Sequence, residues 1–391
     1  MRIAKFETFM ANAGLRNYLF LRLTTDTGLT GLGEASLEWQ EKTVETICHE
    51  WVEARVLRRD PFDIESIIGG MIRDQYQGGS TVMTAISGVE LALWDIVGKA
   101  CGQPVYRLLG GRCHERILAY ANGWYGGART RKDYAERAKD VVARGYHGLK
   151  FDPLGNAWKE MSCEQMEEAE ELVAGVREAV GPSVELMIEF HGRLSTSCAI
   201  EMAGRFAKYR PAWCEEPVLP ENIDLLSLVK QKTSVPISSG ERLYTIADFY
   251  RIVSQRAVDV LQPDIAHCGG LLISKKIAAF AAAQDIRMSP HCSVGPISLS
   301  ACLHFDLSTP NFYIQEAFGE YDVPWRDDLV RGWNPIRNGR FVLDDKPGLG
   351  VELDESAIAG HPYVAHAFPS LWENSWLDNF TQNDSGHLTH R

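Results

Sequence analysis

Three glutamates recur at equal intervals. Glu189 in Met187-Ile188-Glu189-Phe190-His191, Glu215 in Trp213-Cys214-Glu215-Glu216-Pro217 and Glu241 in Ser239-Gly240-Glu241-Arg242 are each 26 residues from the next. That interval fits one complete strand-plus-helix unit, so the three side chains are expected at the same end of neighbouring parallel strands. Carboxylates that converge without a counter-charge repel one another, and a hard divalent cation with oxygen ligands, Mg²⁺ above all, resolves the repulsion. Three separate surface or ion-paired glutamates are the competing reading, and the periodicity argues against it. Further along, Asp264 in Leu261-Gln262-Pro263-Asp264, His291 in Met288-Ser289-Pro290-His291 and Glu316 in Ile314-Gln315-Glu316 close the next three apolar runs. His291 beside Asp264 has the form of a base whose imidazole is oriented, and whose pKa is raised, by a carboxylate.

Elements that could carry these residues are legible around them. Short apolar runs at 117–121, 148–151, 184–189, 213–216, 237–241, 258–262, 286–289 and 312–316 give eight strands, and 131–144, 164–180, 223–230 and 271–284 between them carry the helical period. Alternation at this spacing predicts a parallel sheet, and eight strands predict its closure into a barrel. Before it, residues 3–10 and 18–25 read as strands, with turn chemistry at 26–31, and 82–101 as a helix stopped by Gly102 and Pro104. The expected organisation is an α+β unit over 1–115, a barrel over 116–335 and a segment over 336–391 that leaves the barrel and returns to the first unit. The polar end, 382–391, is expected to fray.

The chain has 391 residues and a formal charge of −12 without a Lys/Arg block, which argues against a nucleic-acid partner. Lys5 and Glu7 interrupt any export signal at the start, and the longest uncharged stretch, 288–305, holds two Pro, four Ser and two His. Neither suits export or a membrane span, so cytoplasmic residence is expected. The nine cysteines are scattered without a CxxC pair, which favours neither a disulfide framework nor a zinc site.

These motifs, in order and spacing, resemble the enolase superfamily, mandelate racemase subgroup, and its acid-sugar dehydratases of the galactonate dehydratase type. The resemblance extends to the segment from Ala85 to Gly111, similar to the family's passage from capping domain into barrel. It implies a modified (β/α)7β TIM-type barrel capped by an α+β domain built from the N-terminus and the C-terminal tail. It implies one Mg²⁺ per subunit on Glu189, Glu215 and Glu241, with Glu189 replacing the more usual Asp. His291 with Asp264 would remove the proton α to a carboxylate, and His191 would act as acid toward a departing hydroxyl. Glu316 would hydrogen-bond the substrate carboxylate, and Lys150 would place positive charge near it. The implied reaction converts a polyhydroxy sugar acid, aldonate or aldarate, to a 2-keto-3-deoxy acid. The implied assembly is a homo-oligomer, often an octamer. One departure stands out: where the subgroup often has Lys-x-Lys on the second strand, Lys150-Phe151-Asp152 has Asp second, which removes the usual second base for racemisation. The loop through Gly155-Asn156-Ala157-Trp158 is also longer than the resemblance leads one to expect. A cycloisomerase acting on a sugar lactone or anhydro sugar acid, and a metal-bound barrel without turnover, are the rivals. The second has no need of an acid and a base. His267, Trp124 and Tyr125 read as packing or pocket lining, Cys214 and Cys292 as small core residues, and loops 11–17 and 36–42 as the cap's approach to the substrate.

Overall fold

The chain begins with an antiparallel meander of β1 (Ile3–Asn12), β2 (Asn17–Thr25) and β3 (Thr30–Glu34). The third strand was not expected, because Thr30-Gly31 carries turn chemistry and Gly33 follows it closely. The glycines' role is close approach: a Cβ at Gly33 would fall 1.9 Å from the Gly88 carbonyl oxygen of the helix packed on this strand. Helices α1 (Glu41–Arg55), α2 (Ile64–Asp74) and α3 (Ser80–Ala100) cover the sheet, and Leu19, Leu21, Leu23, Val44, Val52, Ile67, Ile86 and Leu93 form the core between them. Helix α3 is long and apolar enough to cross a membrane, yet 83% of its most apolar window is buried in this packing. A short α4 (Val105–Leu108) leads onward. The computed structural model describes residues 1–333, 336–366 and 371–372, with the backbone of 381–382 and 388–389.

The second unit alternates β4 (Ile117–Ala121), α5 (Arg131–Ala143), β5 (Gly148–Phe151), α6 (Cys163–Val180), β6 (Glu185–Glu189), α7 (Thr196–Phe206), β7 (Trp213–Glu215) and α8 (Ile223–Lys232). It continues with β8 (Ile237–Ser239), α9 (Ile246–Ser254), β9 (Val260–Leu261), α10 (Leu271–Ala282), β10 (Arg287–Met288), α11 (Pro296–Leu307) and β11 (Gln315–Ala317). Neighbours from β4 to β10 pair in parallel in chain order, β11 pairs in parallel with β4, and Met288 bridges Phe312 to bring the circle together. Seven helices thus separate eight strands of a TIM-type barrel, and among the described residues the last strand is followed by two short 3₁₀ turns, short strand pairings and one six-residue helix, Glu355–Gly360. Several strands end earlier than expected, so Glu241, Asp264 and His291 stand just beyond them.

Side-chain alternation explains what fills the barrel. Tyr120, Met187, Trp213, Val260 and Ile314 form a separate apolar plug. Two residues further along the same strands come Asn122, Glu189, Glu215, Gln262 and Glu316, with Lys150 two beyond Gly148. The polar layer is therefore the next inward-facing tier, seated on that plug.

Cap and barrel are joined by buried carboxylates. Helices α10 and α11 have no side-chain cap of their own. Glu90 of α3 accepts the Leu271 and Leu272 N–H groups at 2.8 Å each, and Glu34 of β3 accepts those of Gly295 and Ser298 at 2.5 and 2.9 Å. Each places negative charge where a helix exposes unpaired N–H donors. The later chain first lays Arg340–Phe341 antiparallel on β4, then returns to the cap, where Leu349 donates its N–H to Asp95 and Val364 its own to Asn17. The 382–391 stretch expected to fray lies outside the described residues, apart from a short pairing of Thr381–Gln382 with Leu388–Thr389.

Candidate active site and metal centre

Glu189 and Glu215 are register partners on β6 and β7, and Glu241 follows β8 through Gly240, whose φ of 149° and close contact with the Gln262 backbone suit glycine. One carboxylate oxygen from each of the three lies within 4.8 Å of the others. Glu189 and Glu215 are almost wholly buried. Burial, then repulsion from Glu215, pushes the Glu189 carboxyl well above its usual range. A buried all-oxygen donor set under this strain fits a hard divalent cation. Trp213, two residues before Glu215 on the inward face, donates its indole N–H to Glu215 at 2.9 Å, a contact the sequence reading did not name.

Lys150 reaches the same space. Its Nζ is 2.8 Å from Glu215, 2.9 Å from Glu316 and 3.6 Å from Glu189. Burial works against its charge, but Glu215 and Glu316 raise its pKa well above the ordinary value. Glu316 is held from three sides: Lys150, the Asn122 amide at 2.9 Å and the Cys292 backbone N–H at 2.8 Å. Burial pushes Glu316 up, yet Lys150 and then His291 bring it down to about 2, so it remains an anion.

His291 Nδ1 is 2.8 Å from Asp264 Oδ2, with Nε2 3.5 Å from Glu241 and 3.8 Å from Glu316. Burial disfavours the imidazolium, but Glu241, Glu316 and Asp264 together raise its pKa well above the ordinary value. Asp264 is completely buried, accepts the Ala266 N–H at 2.8 Å and has His267 Nδ1 at 3.4 Å. His267 places Nε2 2.9 Å from the Ser36 carbonyl oxygen of the cap, so it is a strand-end and interdomain contact.

His191 follows β6, at the opposite end of the β6–β10 run of strands from His291, which follows β10. Its φ of 49° is uncommon for a side-chain-bearing residue, and its N–H donates to Glu189 at 2.7 Å. Its Nδ1 is 2.7 Å from Asp152 Oδ2, and the Asp152 carboxylate is clamped by Arg193. The Trp372 ring lies 4.9 Å from the His191 ring and 4.5 Å from the Arg193 guanidinium. Neither Asp152 nor Arg193 was assigned a part from sequence; the signal available was the Asp in Lys150-Phe151-Asp152 and the Arg two residues after His191.

Trp124 is buried, donates its indole N–H to the Lys150 carbonyl at 2.8 Å and packs edge-on against Tyr125, Tyr134 and Phe151, which is support behind the site. Cys214 and Cys292 are buried and small. Both cap loops reach the His291 loop: Arg16 donates to the Ser293 carbonyl at 2.6 Å, and Ser293 Oγ is 3.1 Å from Glu38.

A capped barrel with three carboxylates at successive strand ends and a histidine–aspartate pair beside them defines the enolase-type architecture. The family model "mandelate racemase / muconate lactonizing enzyme, N-terminal domain" matches residues 3–110, and "enolase C-terminal domain-like" matches residues 133–357. The chain belongs to the mandelate racemase/muconate lactonizing enzyme family of the enolase superfamily. It is 36% identical over 368 residues to D-galactonate dehydratase of Pectobacterium atrosepticum, covering 92% of this chain and 94% of that one. It is 35% identical over 361 residues to D-gluconate dehydratase of Thermoproteus tenax, covering 92% and 72%. Among solved structures it resembles mandelate racemase/muconate lactonizing enzyme from Jannaschia sp. CCS1, with a TM-score of 0.87, 32% identity and coverage of 94% and 99%.

Proposed function

We propose that the protein is a Mg²⁺-dependent acid-sugar dehydratase converting a polyhydroxy carboxylate, an aldonate or aldarate, to its 2-keto-3-deoxy acid. The observation that carries this reading is the presence of two differently placed histidines, each on its own aspartate, at the ends of strands β6 and β10 of the run that carries the carboxylate trio. The similarity to galactonate and gluconate dehydratases supports it. Glu189, Glu215 and Glu241 would hold the ion. Bound there, Mg²⁺ supplies Lewis-acid polarisation of the substrate carboxylate and offsets the negative charge that otherwise sustains a protonated His291.

His291, oriented by Asp264, takes the α-proton, and the C–H bonding pair passes into an enediolate. Lys150 balances the charge that develops on the carboxylate oxygens, and Glu316, fixed by Asn122 and the Cys292 N–H, positions that end of the substrate. Collapse of the enediolate breaks the β-carbon–oxygen bond. The departing hydroxyl takes its proton from His191 and leaves as water, and the enol tautomerises to the keto acid. The catalytic unit would be the barrel of residues 116–335, with the cap of residues 1–115 and the returning segment 336–391 reading the distal hydroxyls. The test is incubation with aldonates and aldarates plus Mg²⁺, scored for 2-keto acid. A lactone or anhydro-sugar product in its place would favour the cycloisomerase.

A further inference from the structure

Asp152 is the residue at which this chain departs from the Lys-x-Lys pattern, and its surroundings give it a definite task. Its carboxylate is fixed independently of His191. Oδ1 accepts the Leu154 N–H at 2.8 Å, and Arg193 Nη2 straddles both oxygens. Arg193 is itself immobilised and fully buried, with Nη1 on the Gly155 carbonyl at 2.8 Å and Nε on the Phe190 carbonyl at 3.3 Å. The long loop is stitched to the same strand end, since Lys159 donates its N–H to the Arg193 carbonyl at 2.7 Å and Ser195 donates to that of Lys159 at 2.7 Å. The rigid partner in the Asp152–His191 contact is therefore the carboxylate, and the imidazole, its side chain 32% exposed, is what it orients. With Nδ1 engaged at 2.7 Å, Nε2 is the nitrogen left for a substrate oxygen.

The same construction appears at His291. There, too, Nδ1 meets Oδ2 of an aspartate, at 2.8 Å, while Oδ1 accepts the N–H of the residue two positions on, Ala266. Both aspartates are locked in Asx-turns of identical pattern. We propose that Asp152, clamped by Arg193, is the positioning residue of a second histidine–aspartate pair that aims His191 Nε2 at the departing β-hydroxyl. This rests on the dehydratase reading of the site and assigns the one function that reading left open.

The pair acts after the enediolate forms, so its loss separates two signals. Asp152→Asn should lower keto-acid formation from the hydroxy acid by about 10²-fold or more, the ordinary worth of a placed general acid. Exchange of the substrate α-hydrogen with solvent deuterium, which precedes the step assigned to His191, should stay at the wild-type level. A 3-deoxy-3-fluoro analogue restores elimination: the α-C–H and β-C–F bonds break, fluoride leaves with the bonding pair, and no acid is required. His191→Asn should behave the same way, and the double variant should be no slower than His191→Asn alone, because residues acting as one unit are not additive. Asp152→Glu, which keeps the charge for Arg193 but shifts the oxygens, should show the same split in milder form. Exchange falling in step with turnover, an unchanged turnover, or failure of both Asp152 variants to fold overturns the assignment. A wild-type protein that neither exchanges nor forms keto acid would instead sink the dehydratase reading itself.

Discussion

The two histidines are the most discriminating residues in the molecule, because the proposed reaction assigns them to different bonds of one substrate. His291→Asn is expected to lose both keto-acid formation and α-hydrogen exchange, by about 10²- to 10⁴-fold. Asp264→Asn should weaken both, since it disturbs the ring held at 2.8 Å. In His191→Asn dehydration should stop while exchange continues; measuring deuterium incorporation and keto acid in the same reaction separates the roles, and the opposite pattern would exchange them. Racemisation is expected to be minor, because the second position after Lys150 is an aspartate already engaged by Arg193 and His191. A 2-epimer accumulating from an enantiopure acid faster than keto acid would contradict this.

At the scale of elements, the helices that carry the site borrow their caps from another part of the chain. Glu90→Ala leaves the Leu271 and Leu272 N–H groups without their acceptor, and Glu34→Ala does the same to Gly295 and Ser298. Each should cost about 1–3 kcal/mol for the donors left unsatisfied, seen as a melting temperature several degrees lower. Glu34→Ala should also raise KM, because α11 begins at Pro296, five residues after His291. A melting temperature unchanged in both variants would show that these contacts contribute nothing. Strand order and the strand-end carboxylates were readable in sequence because parallel barrel strands are continuous apolar runs with a regular interval, as at Glu189, Glu215 and Glu241. Other features were not. The β3 strand is disguised by glycines whose reason lies in α3; for Gly33 it is Gly88, 55 residues away. The Asp152–Arg193–His191 arrangement joins residues about 40 positions apart, and no local pattern records that their loops are hydrogen-bonded together.

For the molecule as a whole, the account makes binding of a divalent cation part of stability as well as turnover. Buried, mutually repelling carboxylates destabilise the cation-free fold, so saturating Mg²⁺ should raise the melting temperature, by an amount growing as RT ln(1 + [Mg²⁺]/Kd). Glu215→Gln should remove most of that shift, and the same shift in the variant as in wild type would place the ion elsewhere. A net charge of −12 would not oppose an anionic substrate, because the field at the site would be set by Lys150 and a bound cation rather than by the distant surface. The most direct test is one assay: chelator-stripped protein, with and without restored Mg²⁺, against a panel of aldonates and aldarates, read as 2-keto acid formed. The account predicts keto acid from at least one sugar acid, abolished by stripping and recovered with Mg²⁺. Full activity in the stripped protein, or no keto acid from any member of the panel while the metal is bound, would contradict it.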